Sequence, residues 1–330
     1  MPHKVKCVLT VSHGRPQTGR STDFYSATAW RASAVPAGVG VGVGVGAGCV
    51  VRLWTVWACA RDAVSRLDDN GHMPATAADR IRHWPGFYNA RDLGGLPRND
   101  GSVTKTGGYV RSADLRFATS QGLQEMVDSG ISTVVDLRND FETHPVPRSP
   151  QDELANAHRI PPTREAELPA GVFAVRVPLD NPEHEAFWQR MRAEGRLGTP
   201  RFFGPVLREH PERVVAVLRA IAAAPGNVLY HCAVGRDRTG LVTFALLALA
   251  DVRAEAIASD YALSAGELAP FFARLNFPNQ EANINAVLAE QGHTLESAVA
   301  EQLESLDVAA VLLDAGLARE EIERLRARLV

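Results

Sequence analysis

Apolar and polar positions follow two different periods along residues 73–330, and together they predict an α/β fold. Short apolar runs have the length of strands; they occur at 108–112, 131–137, 172–179 and 228–230. The segment 211–224 places apolar residues three and four positions apart, as helices do, and 241–250 is a longer apolar run that contains good helix formers. Beyond residue 250 helical runs with end caps continue, which indicates a helical C-terminal part.

The clearest junction between a strand and a helix lies at residues 231–240, which read HCAVGRDRTG. The apolar residues 228–230 precede it, and the apolar run 241–250 follows it. This order predicts a strand, a tight loop and a helix. Cys232 therefore stands in a loop that opens directly onto a helix N-terminus.

Such a loop suits a phosphate group. The free amides and the dipole of a helix N-terminus favour an anion, and Gly235 lets the backbone curl around it. Arg238 follows Cys232 by six residues, and its planar fork can hold two phosphate oxygens. Similar surroundings lower a cysteine pKa from about 8.5 to roughly 3.5–7.5. Cys232 is thus predicted to be a nucleophilic thiolate; the alternative is a buried structural cysteine.

Residues 231–240 resemble the signature loop of the cysteine-dependent tyrosine phosphatases, Cys-x5-Arg-Ser/Thr. The match is best to the atypical bacterial branch whose loop reads HCxxGKDRTG, with Arg236 here in the place of its lysine. Three further stretches resemble the same branch; they are 89–95 (NARDLGG), 109–115 (YVRSADL) and 134–138 (VVDLR). The resemblance extends from about Trp84 to the C-terminus.

The resemblance implies the cysteine-phosphatase fold, with a central, mostly parallel sheet flanked by helices. It also implies hydrolysis of a phosphate ester through a phosphocysteine on Cys232. The phosphate would be held by the loop residues Ala233, Val234, Gly235, Arg236, Asp237, Arg238 and Thr239. Asp180, in a loop after the strand at 172–179, is the first candidate for the general acid, and Asp237 is the second.

The expected substrate is protein phosphotyrosine, with phosphoserine, phosphothreonine or a phosphoinositide phospholipid as alternatives. No cofactor and no metal ion are expected. Two other classes remain open on the residues alone: a rhodanese-like sulfurtransferase, which also cradles an anion beside a cysteine, and a non-catalytic phosphate-binding module. The first lacks the Arg-Thr-Gly ending of this loop, and the second would need a lost catalytic residue.

Five further residues are candidate supports for the loop. His231 is expected to orient the loop and to tune the thiolate. Arg91 and Asp92 are interpreted as an internal ion pair or turn clamp, with substrate contact as the alternative. Asp136 and Arg138 follow a buried strand, where they could brace the loop or take part in catalysis.

Charge and cysteine content limit the binding partners and the cellular compartment that the sequence indicates. Residues 1–72 carry a net charge of +4 and, since the whole chain carries −3, the remainder carries −7. Nothing in this balance indicates nucleic acid, and anion binding must come from the local loop. Cys7, Cys49 and Cys59 lie in the first 72 residues, which leaves Cys232 alone in the rest. A reduced Cys232 favours the cytosol, with secretion as the alternative.

The chain is predicted to divide at residue 72. Residues 1–72 contain an alternating Val-Gly tract at 39–46 and are interpreted as an unstructured leader or a wrongly included start, with Met73 as the true start. A membrane anchor and a small folded domain are the alternatives, and membrane association is not expected. Residues 73–330 form the phosphatase domain, in which 263–305 are a candidate helical lid.

Overall fold

The structure is a computed structural model that describes residues 76–144 and 160–330. The predictions for residues 1–72 lie outside the described residues. In the described part, no helix is long and apolar enough to cross a bilayer.

Five strands form one sheet in the order β1-β2-β5-β3-β4. They are β1 (Arg91–Asp92), β2 (Tyr109–Ser112), β3 (Ile131–Asp136), β4 (Phe173–Arg176) and β5 (Asn227–His231). β1 pairs antiparallel with β2, and the other three pairings are parallel. The predicted mostly parallel sheet is therefore confirmed, with β5 at its centre.

Helices cover both faces of this sheet and make up the C-terminal part, as predicted. Between the strands lie α1 (Ala77–Arg80), α2 (Ser120–Asp128), α3 (Asp140–Thr143), α4 (Glu185–Ala193), α5 (Phe203–Glu209) and α6 (Pro211–Ala223). After β5 follow α7 (Asp237–Leu249), α8 (Ala254–Glu267), α9 (Ala269–Arg274), α10 (Glu281–Glu290), α11 (Leu295–Ser305), α12 (Val308–Asp314) and α13 (Arg319–Arg326). A short 3₁₀ turn, Pro200–Phe202, leads into α5.

The helix boundaries follow local chemistry. Thr119 caps α2, because its hydroxyl accepts a hydrogen bond from the Gly122 amide. Pro211 opens α6, where its missing N–H costs no hydrogen bond. α7 is apolar on nearly all sides and almost wholly buried, so packing rather than amphipathicity fixes its place behind the sheet.

The two faces of the sheet bury separate apolar clusters, because neighbouring strand residues point to opposite sides. Tyr109, Val135 and Tyr230 pack with α6 and α7 on one face. Val134 and Leu229 pack with α2 on the other. This arrangement locks the register in which Ser112 and Asp136 both lie beside His231. The carboxyl ends of three parallel strands therefore meet where the loop of Cys232 begins.

Candidate active site

The loop between β5 and α7 is a tight turn of five residues, 232–236. Gly235 has a φ of +69°, and a Cβ at this position would lie 2.2 Å from the Ser112 carbonyl oxygen. Both the backbone angle and the close approach to β2 require glycine here. The Asp114 amide donates to the Ala233 carbonyl at 3.1 Å, which fixes the start of the loop against the residues after β2.

Cys232 and Arg238 lie close together, as the sequence analysis expects. Cys232 is a free thiol that exposes 1% of its surface. The pKa of Arg238 is raised well above its usual value: burial alone would lower it, but the carboxylates of Asp180 and Glu142 outweigh burial, and Cys232 lies near enough to add to their effect. Because solvent hardly reaches the sulfur, a reacting phosphorus has to enter the loop itself.

The guanidinium of Arg238 is held by two carboxylates. Nη1 and Nη2 each donate to one oxygen of Glu142, at 2.6 and 2.7 Å. Nε lies 3.4 Å from Asp180 Oδ2. A guanidinium has five N–H groups, so these contacts leave two for a phosphate. Asp180, the first candidate acid, is thus placed beside the group that would hold the phosphate.

Glu142 is a site residue that the sequence analysis missed. Burial alone would raise its pKa, but Arg238 lowers it overall through charge and hydrogen bonds. Its carboxylate also accepts the Asn139 amide at 2.9 Å, as part of the capping box that starts α3. The signal was present in the sequence as an Asn-x-x-Glu pattern directly after the strand that carries Asp136.

Arg236 and Asp237 face a different neighbour, helix α10. Arg236 Nη1 donates to Glu281 Oε1 at 2.6 Å, and Nε lies 3.1 Å from Asp237 Oδ1. The Tyr261 hydroxyl is 3.4 Å from the same Asp237 oxygen. Burial alone would lower the pKa of Arg236, but the negative charges of Asp237 and Glu281 raise it. The arginine that replaces the family's lysine therefore connects the loop to the candidate lid.

Asp136, Arg138 and His231 form a buried group behind Cys232. Arg138 Nη2 donates to Asp136 Oδ2 at 2.7 Å and Nη1 to Asp114 Oδ2 at 3.2 Å. His231 Nδ1 lies 3.8 Å from Asp136 Oδ1 and 3.2 Å from the Cys232 carbonyl oxygen. Burial alone would raise the pKa of Asp136, but His231 and Arg138 lower it. This placement fits the bracing interpretation.

Arg91 and Asp92 are both buried, and each has a partner other than its neighbour. Arg91 Nε donates to Asp260 Oδ1 at 3.1 Å. Asp92 accepts the Gly94 and Gly107 amides at 2.7 and 2.8 Å and pairs with Arg82. Asp92 thus clamps two turns, and Arg91 belongs to a separate ion-pair cluster.

Thr239 lies in the first turn of α7 and is completely buried. Its hydroxyl oxygen has no hydrogen-bond partner in the structure. An unpartnered buried hydroxyl is costly and marks a position where a further polar group can bind. The resemblance places Thr239 among the residues that hold the phosphate, and that role stays a prediction.

Asn89, Arg111, Asp260 and Glu281 also contact the loop or its neighbours, and the sequence analysis assigned them no role. Asn89 and Arg111 stood inside two of the stretches that carried the resemblance. A polar residue within an apolar strand, such as Arg111, could have signalled a buried function. Asp260 and Glu281 come from distant helices, so sequence offers no sign of their partners.

Comparisons with known proteins show the family of this chain. The model of the tyrosine phosphatase family matches residues 82–330. A curated Cupriavidus necator protein, named as a candidate tyrosine-protein phosphatase, is 28% identical over 252 residues, which are 74% of this chain and 81% of that protein. Because the family match covers most of the chain, this protein belongs to the tyrosine phosphatase family and is a phosphatase of the bacterial atypical kind.

Two solved structures are more distant. The crystal structure of Pseudomonas aeruginosa TpbA is 16% identical with a TM-score of 0.30, covering 64% of this chain and 89% of that one. The crystal structure of a candidate phosphatase from Neisseria meningitidis is 18% identical with a TM-score of 0.28, covering 51% of this chain and 91% of that one. The family assignment therefore rests on the sequence match.

Proposed function

We propose that this phosphatase hydrolyses protein phosphotyrosine through a phosphocysteine on Cys232. The observation that supports the proposal is the loop between β5 and α7. Its cysteine lies near Arg238, its turn admits only glycine at Gly235, and it opens onto the N-terminus of a buried helix. These are the parts that an in-line displacement at phosphorus needs.

In the first step, the Cys232 thiolate attacks phosphorus, and a sulfur–phosphorus bond forms as the bond to the leaving oxygen breaks. The electron pair of the broken bond goes to that oxygen, which takes a proton from Asp180. Arg238 and the loop amides hold the equatorial oxygens, where the negative charge is spread in the transition state.

In the second step, a water oxygen attacks phosphorus and gives a proton to the Asp180 carboxylate. The sulfur–phosphorus bond breaks, its electron pair returns to Cys232, and inorganic phosphate leaves. The Thr239 hydroxyl donates a hydrogen bond to the departing sulfur. Since its oxygen is buried without another partner, the hydroxyl is free to do so.

Asp180 is preferred to Asp237 as the acid because of their partners. Asp180 lies 3.4 Å from Arg238 Nε, beside the position of the phosphate. Asp237 directs its carboxylate to Arg236 and Tyr261. If Asp180 is the acid, Asp180→Asn slows esters with poor leaving groups more than p-nitrophenyl phosphate. If Asp237→Asn produces that pattern instead, the two roles are reversed.

The test of the proposal is turnover of p-nitrophenyl phosphate and of phosphotyrosine peptides. We expect Cys232→Ser to abolish turnover and retain phosphate binding, and Arg238→Ala to lose both. Arg219→Ala, which removes an exposed arginine of α6, is the matched control and should retain both. Turnover by Cys232→Ser would contradict nucleophilic catalysis.

A panel of phosphoserine and phosphothreonine peptides and phosphoinositides decides between protein and lipid substrates. A thiosulfate assay separates the rhodanese alternative, and phosphate binding without any turnover would indicate a binding module.

The candidate lid at 263–305 includes Phe271 and Phe272, which pack against Val234 of the loop. We infer that these residues exclude water from the bound ester.

A further inference from the structure

The loop between β5 and α7, residues 232–236, is called the phosphate loop. Its carbonyl groups are held from one side. Asn89 Nδ2 donates to the carbonyl oxygens of Val234 and Gly235, at 3.0 and 3.1 Å. Arg111 Nη2 donates to the Gly235 carbonyl at 2.8 Å and lies 3.4 Å from that of Arg236. Asn89 and Arg111 are both at most 1% exposed, so water does not compete for these bonds.

Holding these carbonyls also directs the amides. The peptide bonds of the described chain are trans, so each carbonyl points away from the N–H of the same peptide unit. Fixing the Val234 and Gly235 carbonyls on the bracing side therefore turns the amides of Gly235 and Arg236 to the opposite side. The first amides of α7 have no partner within the helix and extend the same surface.

The two bracing residues are themselves fixed by a buried ion cluster. Arg111 Nη1 donates to Asp260 Oδ2 at 2.8 Å, and Asp260 also binds Arg91 and Arg80. Arg91 in turn donates to Asn89 Oδ1, which settles which end of the Asn89 amide faces the loop. The brace thus runs from Asp260 through two arginines to the loop carbonyls.

The cluster holds more positive than negative charge. It contains three guanidinium groups, those of Arg80, Arg91 and Arg111, against the single carboxylate of Asp260. Burial, with the nearby charge of Arg111, lowers the pKa of Arg91 to about 10. Surplus buried charge of this kind is unfavourable unless an anion lies nearby. Arg111 joins this cluster to the phosphate loop through the Gly235 carbonyl.

We propose that Asn89 and Arg111 are positioning residues of the phosphate loop, which hold its carbonyls outward so that its amides face the bound phosphate. The inference rests on the proposed function, because it takes the anion in the loop to be the phosphate of the substrate. Neither residue needs to touch the substrate. Their contribution is an amide surface that is already oriented before the phosphate arrives.

Asn89→Asp is the sharpest test, because it replaces the donor with an acceptor of the same size and adds one negative charge. Asn89 has a φ of +53°, a conformation that aspartate also tolerates, and the oxygen that accepts from Arg91 remains. The new carboxylate oxygen would face two carbonyl oxygens. We expect the Kd for inorganic phosphate, measured by calorimetry on the full chain, to rise about tenfold or more.

Asn99→Asp is the matched control. Asn99 is exposed, and its amide donates to Asp251 Oδ1 at 2.8 Å, beyond the C-terminal end of α7. That helix has 13 residues and spans about 20 Å. The control variant also removes an asparagine donor from an oxygen acceptor, but far from the loop. Its Kd for phosphate should therefore not change. The unfolding midpoints of both variants show how much of any change in Kd results from a loss of stability.

Arg111→Lys is the second variant. Lysine keeps the charge, but its single ammonium cannot reach Asp260 and the Gly235 carbonyl with the geometry of a guanidinium. We expect a smaller rise in the phosphate Kd than for Asn89→Asp. In both variants the alkylation of Cys232 by iodoacetate, which is an anion, should slow more than its alkylation by neutral iodoacetamide, which a merely structural role would not produce.

The outcomes separate this inference from the proposed function. If the wild type binds phosphate but turns over no ester, the proposed function fails, and the Kd values still decide the inference. A folded Asn89→Asp variant that binds phosphate as tightly as the wild type overturns the inference. A wild type that binds no phosphate overturns it as well, because the amides would then form no anion site.

Discussion

The arginines behind the phosphate loop and those in front of it have opposite surroundings. Behind the loop, Arg91 and Arg111 share the carboxylate of Asp260, and all three are essentially unexposed. In front, Arg238 has carboxylate partners that are 17% and 26% exposed in their side chains, Glu142 and Asp180. The rear cluster has a surplus of positive charge, whereas each front arginine, Arg238 or Arg236, has two carboxylate partners.

This difference gives the two groups of arginines different roles: the rear arginines support the loop, whereas Arg238 in front can exchange a carboxylate for a phosphate. A buried ion pair without access to water cannot be replaced by another anion, so the rear cluster keeps one geometry. Of the two partners of Arg238, the more exposed Asp180 can move aside when a phosphate competes for the guanidinium, because water screens and solvates it. The same residue types therefore form a permanent brace on one side of the loop and a replaceable contact on the other.

The largest expected effect comes from removing the single acid of the rear cluster. Asp260→Asn leaves three buried guanidinium groups without a carboxylate, and we expect the free energy of unfolding to fall by about 3–5 kcal/mol. Urea unfolding measures this loss. If the loss stays below about 1 kcal/mol, the rear cluster is no more than a surface-like ion pair and the comparison fails.

The pH dependence of stability sharpens the same point. Burial alone would raise the pKa of Asp260, but the charges of Arg91, Arg111 and Arg80 lower it below its usual value of 3.8. The unfolded chain therefore takes up the proton first as the pH falls. The stabilisation is fully present above about pH 4–5 and is lost on further acidification. Asp260→Asn should remove this part of the acid unfolding curve.

A smaller effect is expected at the front of the loop, from Glu142→Gln. The amide keeps one acceptor but loses the charge that holds both ends of the Arg238 fork. We expect kcat/KM for p-nitrophenyl phosphate to fall about tenfold, since one charged hydrogen bond contributes about 1.5–3 kcal/mol to orientation. Gln124→Glu in α2, an exposed change of the same size, is the control. An unchanged kcat/KM would show that Arg238 needs no carboxylate to orient it.

The smallest expected effect is at the contact between the loop and α10. Glu281→Gln removes one of the two carboxylates on Arg236, while Asp237 remains. We expect the free energy of unfolding to change by less than about 1 kcal/mol, because Glu281 is partly exposed. A thermal melt measures it. A loss comparable to that of Asp260→Asn would show that front and rear pairs are alike.

Much of the candidate site could be predicted from the sequence, because its residues lie close together along the chain. The spacing of Cys232, Gly235 and Arg238 defines a strand, a loop and a helix N-terminus through local geometry alone. Glu142 was missed although it follows Asp136 by six residues, because a capping glutamate looks the same whether or not an arginine reaches it. Asp260 could be recognised in the sequence as a polar residue on a helix. Its pairing could not be predicted, because the three arginines that bind it come from far earlier in the chain.

The sequence by itself determined the family, the order of strands and helices, and the strand, loop and helix that carry Cys232 and Arg238, whose roles as nucleophile and phosphate-binding arginine stay predictions. These follow from short-range patterns, in which hydrophobic period, glycine and charge spacing act within a few residues. Only the tertiary structure decided which acid each arginine meets and which side of the loop is braced. Such pairings depend on the register of β2, β3 and β5 and on the packing of α3 and α8, which bring together residues more than 90 positions apart.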